Sequence, residues 1–445
     1  MRQMVLIGFL HAEHGSIYAG SWRHPQAARD FTSPAYFQRM ARVLEEGRFH
    51  MAFFDDRLAI PDIYGRSHRA AVEGGVRAVK MDPLPVLATM AAVTQQLGLG
   101  ATGSTTYYEP FHIARSFATL DLMSGGRAAW NVVTSLNDAE AANFGFEEHL
   151  AHDLRYDRAD EFMEVVHGLW SSWDDDALVQ DANANRFADP DRVHALSHEG
   201  RFFKSKGPLP VPRSAQGHPV IIQAGQSGRG RDFASRWGEV IFTTLSTLDA
   251  AKKNYSAIKQ AIAAHDRDPD GVTIAPMTFA FIGDSQGEAD EKLERARALA
   301  RPQDGPIALS ELLNFDFSTK PVDEPLTDDE MRRMSGGQAF LDRIKLLSGK
   351  SHPTLADCVR HTPPSSLRGP QMLAGTPETI ADTLQDWFER RVCDGFVIAA
   401  TSVPGSYEEF VRRVVPELQR RGVFQREYRG NTLRENLGLP LPCVR

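Results

Sequence analysis

Eight short apolar segments, each followed by a segment with helical periodicity, constrain the fold more than any other feature of the chain. They are rich in Val, Ile and Phe, and their apolar residues run on without alternation. Such continuous runs are typical of parallel strands that are covered on both faces. The predicted strands span residues 4–10, 51–54, 97–102, 128–133, 220–224, 240–244, 274–282 and 396–400.

The segments between these strands place apolar residues at helical spacing, as Phe37, Met40 and Leu44 show. Strands that alternate with helices predict an α/β fold, and the count of eight predicts a (β/α)8 TIM barrel. An open, doubly wound sheet is the alternative. The predicted helices include residues 36–49, 153–170, 248–265, 376–391 and 406–421.

The length of 445 residues would give three domains at about 150 residues each. The barrel instead makes residues 1–445 one domain, with two long insertions that we expect at the carboxyl-terminal face of the strands. Residues 171–217 are polar, and the charged, Pro-rich residues 300–371 are expected to form a lid. A further excursion covers residues 61–81, and the tail 427–445 is expected to pack across the barrel or a partner subunit.

Composition excludes several classes of protein. The net charge of −8 comes without a basic stripe, which argues against a nucleic-acid partner. No apolar run approaches the roughly 18 residues of a membrane span, and the amino-terminal run reads as a strand rather than a signal peptide. The three cysteines, Cys358, Cys393 and Cys443, are too widely spaced for a disulfide framework or a zinc site. These features predict a cytoplasmic protein.

The clearest local motif follows the fifth predicted strand and reads Gly225-Gln226-Ser227-Gly228 before a helix start. Converging backbone N–H groups and a helix amino terminus form an anion cradle that suits phosphate. Ser227 would add a hydroxyl group, and Arg229 or Arg231 could add charge. The alternative is a tight turn that needs glycine only for its geometry.

Polar side chains also follow other predicted strands. Asp56 ends the second strand and could face a ligand or cap the next segment, while Thr102 supplies a small polar group at the end of the third. Asn131 places an amide on the fourth strand, where a pyrimidine-like ring could be recognised. These positions predict a polar ligand site at one end of the barrel.

Histidines occur near two of these ends. His152 and Tyr156 lie at a helix start and could face the same ligand as Ser227, or could be a solvated helix face. A zinc site is not expected there, because it needs three or four ligands. His11 and His14 follow the first strand and are candidate general bases or substrate contacts, or else ordinary loop histidines.

Taken together, these positions resemble the bacterial luciferase-like flavin monooxygenases, and in particular the nitrilotriacetate and dibenzothiophene sulfone monooxygenase group. The resemblance runs in order along nearly the whole chain. It is carried by the segments Gly20-Ser21-Trp22-Arg23-His24-Pro25, Phe53-Phe54-Asp55-Asp56, Trp130-Asn131-Val132-Val133-Thr134-Ser135, Gln223-Ala224-Gly225-Gln226-Ser227 and Tyr428-Arg429-Gly430-Asn431, with residues 102–108, His152 and Tyr156.

The resemblance implies a barrel that binds reduced FMN, delivered by a separate NAD(P)H-dependent flavin reductase, and that uses O2 to oxygenate a small organic substrate at a C–N or C–S bond. It also implies a homodimer or homotetramer. Family positions that contact FMN fall on Asp56, Thr102, Asn131, His152, Tyr156, Gly225 and Ser227. Tyr156 and Ser227 would hold the phosphate, and Asp56, Thr102 and Asn131 would lie near the isoalloxazine.

The stretch 11–19 departs from the compact His-His form that precedes the Trp-Arg pair in this family. The substrate and the roles of His11 and His14 therefore stay open, with Tyr64, Tyr108 and residues 300–371 as further candidate pocket walls. Two alternatives remain: a deazaflavin-dependent dehydrogenase of the same fold, and a flavin-binding barrel without turnover.

Overall fold

A computed structural model describes residues 2–135, 138–225, 228–245, 247–334, 338–362 and 372–442. Its strands, in chain order, are β1 (Val5–Leu10), β2 (Met51–Phe54), β3 (Gly98–Ser104), β4 (Ala128–Val133), β5 (Leu178–Asp181), β6 (Arg186–Ala188), β7 (His198–Glu199), β8 (Lys204–Ser205), β9 (Val220–Gln223), β10 (Val240–Thr244), β11 (Thr273–Ile282), β12 (Met372–Gly375) and β13 (Gly395–Ala399).

Eight of these strands close into a parallel barrel in the order β1-β2-β3-β4-β9-β10-β11-β13. The ring closes where Val5 of β1 pairs with Gly395 of β13 and where Val240 of β10 pairs with Thr273 of β11. These are the eight strands that the apolar segments predict, so the TIM-barrel prediction is confirmed and the open sheet is not formed. All eight carboxyl ends meet at one end of the barrel.

The helices surround this ring. They are α1 (Pro34–Glu46), α2 (Arg69–Gly74), α3 (Pro83–Ala91), α4 (Pro110–Met123), α5 (Asp138–Asn143), α6 (His152–Trp170), α7 (Gly228–Trp237), α8 (Leu248–Ala264), α9 (Gln286–Arg297), α10 (Asp304–Leu313), α11 (Asp328–Arg333), α12 (Gln338–Ser348), α13 (Leu355–His361), α14 (Pro377–Glu389), α15 (Gly405–Arg420) and α16 (Leu433–Leu437). Over the described ranges, none of them is long and apolar enough to cross a membrane.

The packing follows from the sequence pattern. Ser33 caps α1 by accepting the N–H of Ala35, and Pro34 starts the helix. The predicted stripe of Phe37, Met40 and Leu44 is buried against the sheet. A second apolar cluster, which includes Ile7, Met51, Phe53, Ala129 and Ile222, fills the inside of the barrel.

The two long insertions lie in different places. Residues 171–217 follow α6 and precede β9, so they start at the amino-terminal end of the strands, and they form the hairpins β5–β6 and β7–β8. Glu161 of α6 accepts the N–H groups of Phe202 and Phe203, at 3.0 and 2.8 Å, which ties this insertion to the outside of the barrel. The expectation that it decorates the carboxyl-terminal face is wrong.

Residues 300–371 lie on the carboxyl-terminal side, as expected. In their described part, α10 packs on the 61–81 excursion, where Ile307 and Ala308 are buried with Ala71 and Val76. After this insertion, β12 pairs with the last residues of β11 on the edge of the barrel sheet, which the sequence pattern does not predict.

The carboxyl-terminal tail closes the opposite end of the barrel. Leu433, the first residue of α16, is fully buried in the inner cluster, and a Cβ on Gly98 would lie 2.5 Å from its Cδ1. Arg434 reaches Glu239 with Nη1 2.5 Å from Oε1, and it donates to the carbonyls of Pro440 and His218. The tail therefore packs across the barrel of its own chain.

We expect Arg434→Ala to lower the free energy of unfolding by about 3–5 kcal/mol, because it leaves the half-buried Glu239 carboxylate without its cation. Urea unfolding followed by circular dichroism measures this change. Arg429→Ala removes a charge from the same tail, where the exposed guanidinium donates to Oε1 of Gln3, and should change the free energy by less than about 1 kcal/mol. Equal unfolding midpoints for the two variants would contradict the assignment.

Candidate functional site

A cavity of about 330 Å³ opens at the carboxyl ends of the barrel strands and is called here the main cavity. It is bordered by residues that follow or end β2, β3, β4 and β9, and by α10 from the long insertion. Its position is that of the ligand site in barrel enzymes. Its lining residues include Asp55, Asp56, Arg57, Arg77, Thr102, Val132, Val133, Tyr156, Gln223, Gly225, Glu311 and Leu312.

The turn after β9 forms one wall of the main cavity. The N–H of Gly225 donates to Oε1 of Gln223 at 2.6 Å, while Nε2 of Gln223 donates to the carbonyl of Val132 at 2.7 Å. A Cβ at Gly225 would lie 2.6 Å from the carbonyl oxygen of Gly230, so only glycine fits this close approach. Ser227 and Gln226 lie outside the described residues.

Tyr156 borders the same wall from α6 and is 7% exposed. In the part of the chain that the structure describes, its hydroxyl group has no hydrogen-bond partner. The guanidinium of Arg229 lies 5.8 Å from the centre of its ring. Arg229 itself forms ion pairs with Asp160, Asp157 and Asp232. The positive charge that was predicted to contact a phosphate is therefore already paired.

Thr102 and Asn131 are neighbours in the register of β3 and β4. Nδ2 of Asn131 donates to Oγ1 of Thr102 at 2.9 Å, and that hydroxyl donates to the carbonyl of Phe54 at 3.0 Å. Oδ1 of Asn131 is buried and has no hydrogen-bond partner among the described residues. A buried amide oxygen without a partner is costly, which favours a ligand with a donor there.

Asp56 lies between the main cavity and an adjoining cavity of about 320 Å³. Its Oδ1 accepts the N–H of Arg57 at 2.8 Å. Burial raises the pKa of this carboxyl group to about 7, although the hydrogen bond from Arg57 acts in the opposite direction. Asp56 can therefore exchange a proton near neutral pH.

The two predicted tyrosine walls differ. Tyr108 lines the adjoining cavity, and burial raises its pKa to about 12. Tyr64 begins the short 3-10 turn Tyr64–Arg66 and packs against the cluster of Val76 and Ile307, so it borders neither cavity. The prediction of Tyr64 as a pocket wall is not supported by this position.

His152 is the first residue of α6, with a side chain that is 45% exposed. Its Nδ1 lies 2.8 Å from Asp153, and its ring centre lies 5.1 Å from that of Tyr156. It thus borders Tyr156 but does not line the main cavity. Four of the predicted positions line the main cavity: Asp56, Thr102, Tyr156 and Gly225. Asn131 does not line it but donates a hydrogen bond to Thr102, which does.

His11 and His14 do not converge. Nδ1 of His11 lies 2.7 Å from Asp55 and 3.1 Å from Glu13, whereas Nε2 of His14 contacts the carbonyl of Gly75 at 3.0 Å. Burial lowers the pKa of His11, but Asp55 outweighs it, and the pKa is raised overall. Both histidines line a small cavity of about 30 Å³ beside the main one.

Around His11 lies a buried group of charges that the sequence did not predict as a unit. Nζ of Lys80 lies 2.7 Å from Asp55 and 3.4 Å from Glu13. Burial opposes the ionisation of Asp55, but His11 and Lys80 hold the pKa of that carboxyl well below its usual range. Arg57 lies 3.9 Å from Glu13. The sequence pattern that could have predicted this group is the concentration of charged residues after the second strand and at the end of the 61–81 excursion.

A parallel eight-stranded barrel with its cavity at the carboxyl ends has the architecture of barrel enzymes. The family model of luciferase-like monooxygenases matches residues 14–395. The dibenzothiophene-sulfone monooxygenase of Rhodococcus erythropolis is 48% identical and covers 99% of this chain and 98% of its own. Component A of the nitrilotriacetate monooxygenase of Aminobacter aminovorans is 38% identical, over 98% and 96%.

A solved structure of a riboflavin lyase with modified FMN and riboflavin superposes with a TM-score of 0.88, at 32% identity, over 100% of this chain and 98% of that one. The chain belongs to the luciferase-like monooxygenase family, and its enzyme class is that of the flavin-dependent monooxygenases. The resemblance drawn from the sequence is confirmed.

Asp56 and Asp55 predict opposite effects of pH on stability. The pKa of Asp56 is near 7 in the folded protein and near 4 in an unfolded chain, so its ionisation destabilises the fold as pH rises from 4 to 7. We expect Asp56→Asn to be more stable than the parent at pH 8. Its advantage in unfolding free energy should be about 1–3 kcal/mol larger at pH 8 than at pH 4, after allowance for solvent screening. Urea unfolding across this pH range measures the difference.

Asp55→Asn is the matched comparison. The folded-state pKa of Asp55 is depressed, so its ionised form stabilises the protein above the unfolded pKa, and this contribution is lost as the pH falls. This variant should be less stable than the parent at pH 7, with a deficit that shrinks in acid. The same pH trend in both variants would refute the two pKa directions.

Proposed function

We propose that this protein is the oxygenase of a two-component system, which takes reduced FMN from a separate NAD(P)H-dependent flavin reductase and uses O2 to oxygenate a small organic substrate at a C–N or C–S bond. The observation that carries the proposal is that the Gly225 turn, Tyr156, Thr102 and Asp56 line one cavity at the mouth of the barrel. The named relatives, a sulfone and a nitrilotriacetate monooxygenase, support the reaction class.

The phosphate of FMN would lie at the Gly225 turn. The close approach of Gly225 to Gly230 leaves room for backbone only, and the amino terminus of α7 follows directly. The Tyr156 hydroxyl would donate to a phosphate oxygen, since no described residue accepts its proton. Ser227 keeps its predicted place in this cradle, and His152 would support it through the ring of Tyr156.

The isoalloxazine edge would lie against Thr102, Asn131 and Asp56. The buried Oδ1 of Asn131 can accept an N–H from a flavin-like ring, and Nδ2 holds Thr102 in place. Asp56, with a pKa near 7, can hold or release a proton at its carboxyl oxygen beside the ring. These three groups can orient a polar heterocycle without a covalent bond.

When bound, reduced FMN supplies the two electrons that let one atom of O2 enter the substrate while the other leaves as water. The chain excludes solvent around this reaction, because Val132, Val133 and Leu312 form apolar walls. We assign to residues 300–371 the role of a lid, since α10 brings Leu312 to the cavity.

The proposal places the oxygen chemistry on the flavin and not on a histidine base. His11 is held by Asp55 and Glu13, and with His14 it borders only the small cavity, so their predicted catalytic roles stay predictions. A homodimer or homotetramer and a cytoplasmic location also belong to the proposal, and both rest on the family resemblance.

Oxygen uptake tests the function directly. Purified protein is supplied with reduced FMN and 18O2 in the presence of a panel of sulfones, thioethers and aminocarboxylates. We expect at least one compound to yield a product that carries one 18O atom. Failure of the protein to bind FMN, or oxidation of FMN with no labelled product from any compound class, would contradict the proposal.

Tyr156→Phe tests the phosphate end. Loss of one hydrogen bond to a charged phosphate should cost roughly 1.5–3 kcal/mol, and thus weaken FMN binding by about ten- to a hundredfold. Fluorescence titration of FMN measures the affinity. Tyr108→Phe is the control, because Tyr108 lines only the adjoining cavity and should leave the affinity within about twofold. Equal FMN affinities for both variants and the parent would remove Tyr156 from the cofactor site.

A further inference from the structure

We propose that Arg77 binds an oxyanion group of the substrate, so that the enzyme acts on organic carboxylates or sulfonates with an apolar body. This inference rests on the proposed function and names the substrate class of the same site. Arg77 lies at the end of the 61–81 excursion, outside the motifs that carry the family resemblance.

Arg77 lies where three cavities adjoin. It lines the main cavity, the adjoining cavity with Tyr108 and Lys80, and the small cavity beside His11. The Gly225 turn and Tyr156 line only the main cavity, so Arg77 faces volume that the proposed phosphate end does not share. A substrate that enters through the adjoining cavity would meet Arg77 before it reached Thr102.

The guanidinium of Arg77 has no hydrogen-bond or ion-pair partner within the ranges that the structure describes. Among the described residues it donates no hydrogen bond and forms no ion pair, although its own carbonyl accepts from Nη2 of Arg57 at 3.2 Å. Arg57 and Lys80 differ, because Arg57 also donates to the carbonyl of Ala59 and Lys80 binds Asp55 at 2.7 Å. A partly buried guanidinium with free donors is suited to bidentate binding of an oxyanion.

The backbone holds Arg77 at an energetic cost. Its φ is +53°, in the left-handed region that a long side chain seldom adopts. Such strain is retained where the surrounding structure over-determines the conformation, and it clusters at ligand sites. The bond from Arg57 to the carbonyl of Arg77 is one contact that fixes this conformation.

Carboxyl groups line the three cavities together with the cations, and most of them have partners other than Arg77. Asp55 and Glu13 have lowered pKa values and are matched by Lys80 and His11. Glu140 accepts the N–H of Leu58 and Asp82 accepts that of Leu84, while burial raises the pKa of Glu311 and brings that of Asp56 to about 7. No ion pair joins any of these carboxyl groups to Arg77 within the described ranges, so an oxyanion ligand would supply its counter-charge.

The rest of the ligand is indicated by the remaining walls. Leu58, Val132 and Leu312 border the main cavity near Arg77 and would cover an apolar body. The combination of an unpartnered guanidinium and apolar walls matches a molecule with one oxyanion head and a hydrocarbon or aromatic frame.

The test compares an anion with a neutral molecule of similar shape. Full-length protein saturated with oxidised FMN, which fills the phosphate site, is titrated with benzenesulfonate and with methyl phenyl sulfone by ligand-observed NMR. We expect the parent protein to bind benzenesulfonate at least tenfold more tightly. Arg77→Asn, which tolerates a left-handed backbone, should weaken benzenesulfonate by about ten- to a hundredfold and the sulfone by less than twofold.

Two further variants keep the result interpretable. Arg77→Lys retains the charge without the bidentate fork and should bind benzenesulfonate with intermediate affinity. Arg42→Asn removes an exposed charge from α1 and should behave as the parent. Equal affinities for the two probes in the parent, or an unchanged preference in Arg77→Asn, would overturn the inference.

FMN affinity, measured on the same proteins, separates this inference from the proposed function. If the parent binds no FMN, the proposed function fails whichever probe binds better. If Arg77→Asn loses FMN affinity, the guanidinium serves the cofactor and the substrate assignment is wrong. Unchanged FMN affinity together with loss of the sulfonate preference is the expected result.

Discussion

The closed ladder of parallel strands is the constraint on which the rest of the structure depends. Strand β1 pairs with β2 on one side and with β13 on the other, and β10 joins β11 to complete the ring. A parallel ring brings every carboxyl end to one mouth, and its interior has no edge that water could enter. Asp56, Thr102 and Gly225 meet for this reason, although they come from segments far apart in sequence.

The site combines two environments with opposite requirements. The walls of Val132, Val133 and Leu312 exclude water, while Asp55, Lys80 and His11 keep several charges at the same mouth. The charges are tolerated because Asp55 and Glu13 lie within hydrogen-bond distance of His11 and Lys80, which offsets much of the desolvation cost. Arg77 departs from this pattern, and an incomplete charge pair at a ligand site is where binding specificity can arise.

Much of the fold could be predicted from the sequence, because continuous apolar runs report burial on both faces. Strands β4 and β10 match the predicted segments at both ends, and the helix stripe of Phe37 and Met40 is buried as the spacing requires. Strand β12 was missed because four residues carry no periodicity, and its pairing depends on β11. The placement of residues 171–217 was wrong because it was inferred from insertion length, whereas a segment between a helix and the next strand lies at the amino-terminal end of the barrel strands.

The site was predictable where polar residues end strands, as at Asp56 and Thr102. The positions of Tyr64 and His152 relative to the cavity were harder to predict, because their orientation depends on helices that pack from other parts of the chain. The charge cluster was invisible for a similar reason. Asp55 precedes the 61–81 excursion and Lys80 lies near the end of it, and only the fold brings Nζ within 2.7 Å of the carboxylate.

The pairing of β1 with β13 has a consequence for how the molecule comes into being. On the ribosome, β1 emerges early, yet its partner Gly395–Ala399 is translated only after nearly all of the chain. Until then β1 has one unpaired flank, and the apolar face that Leu433 will cover remains open. The nascent barrel is therefore an open sheet with exposed apolar surface for most of its synthesis. Its dependence on chaperones should be set by the time that passes before β13 is translated, more than by the stability of the folded protein.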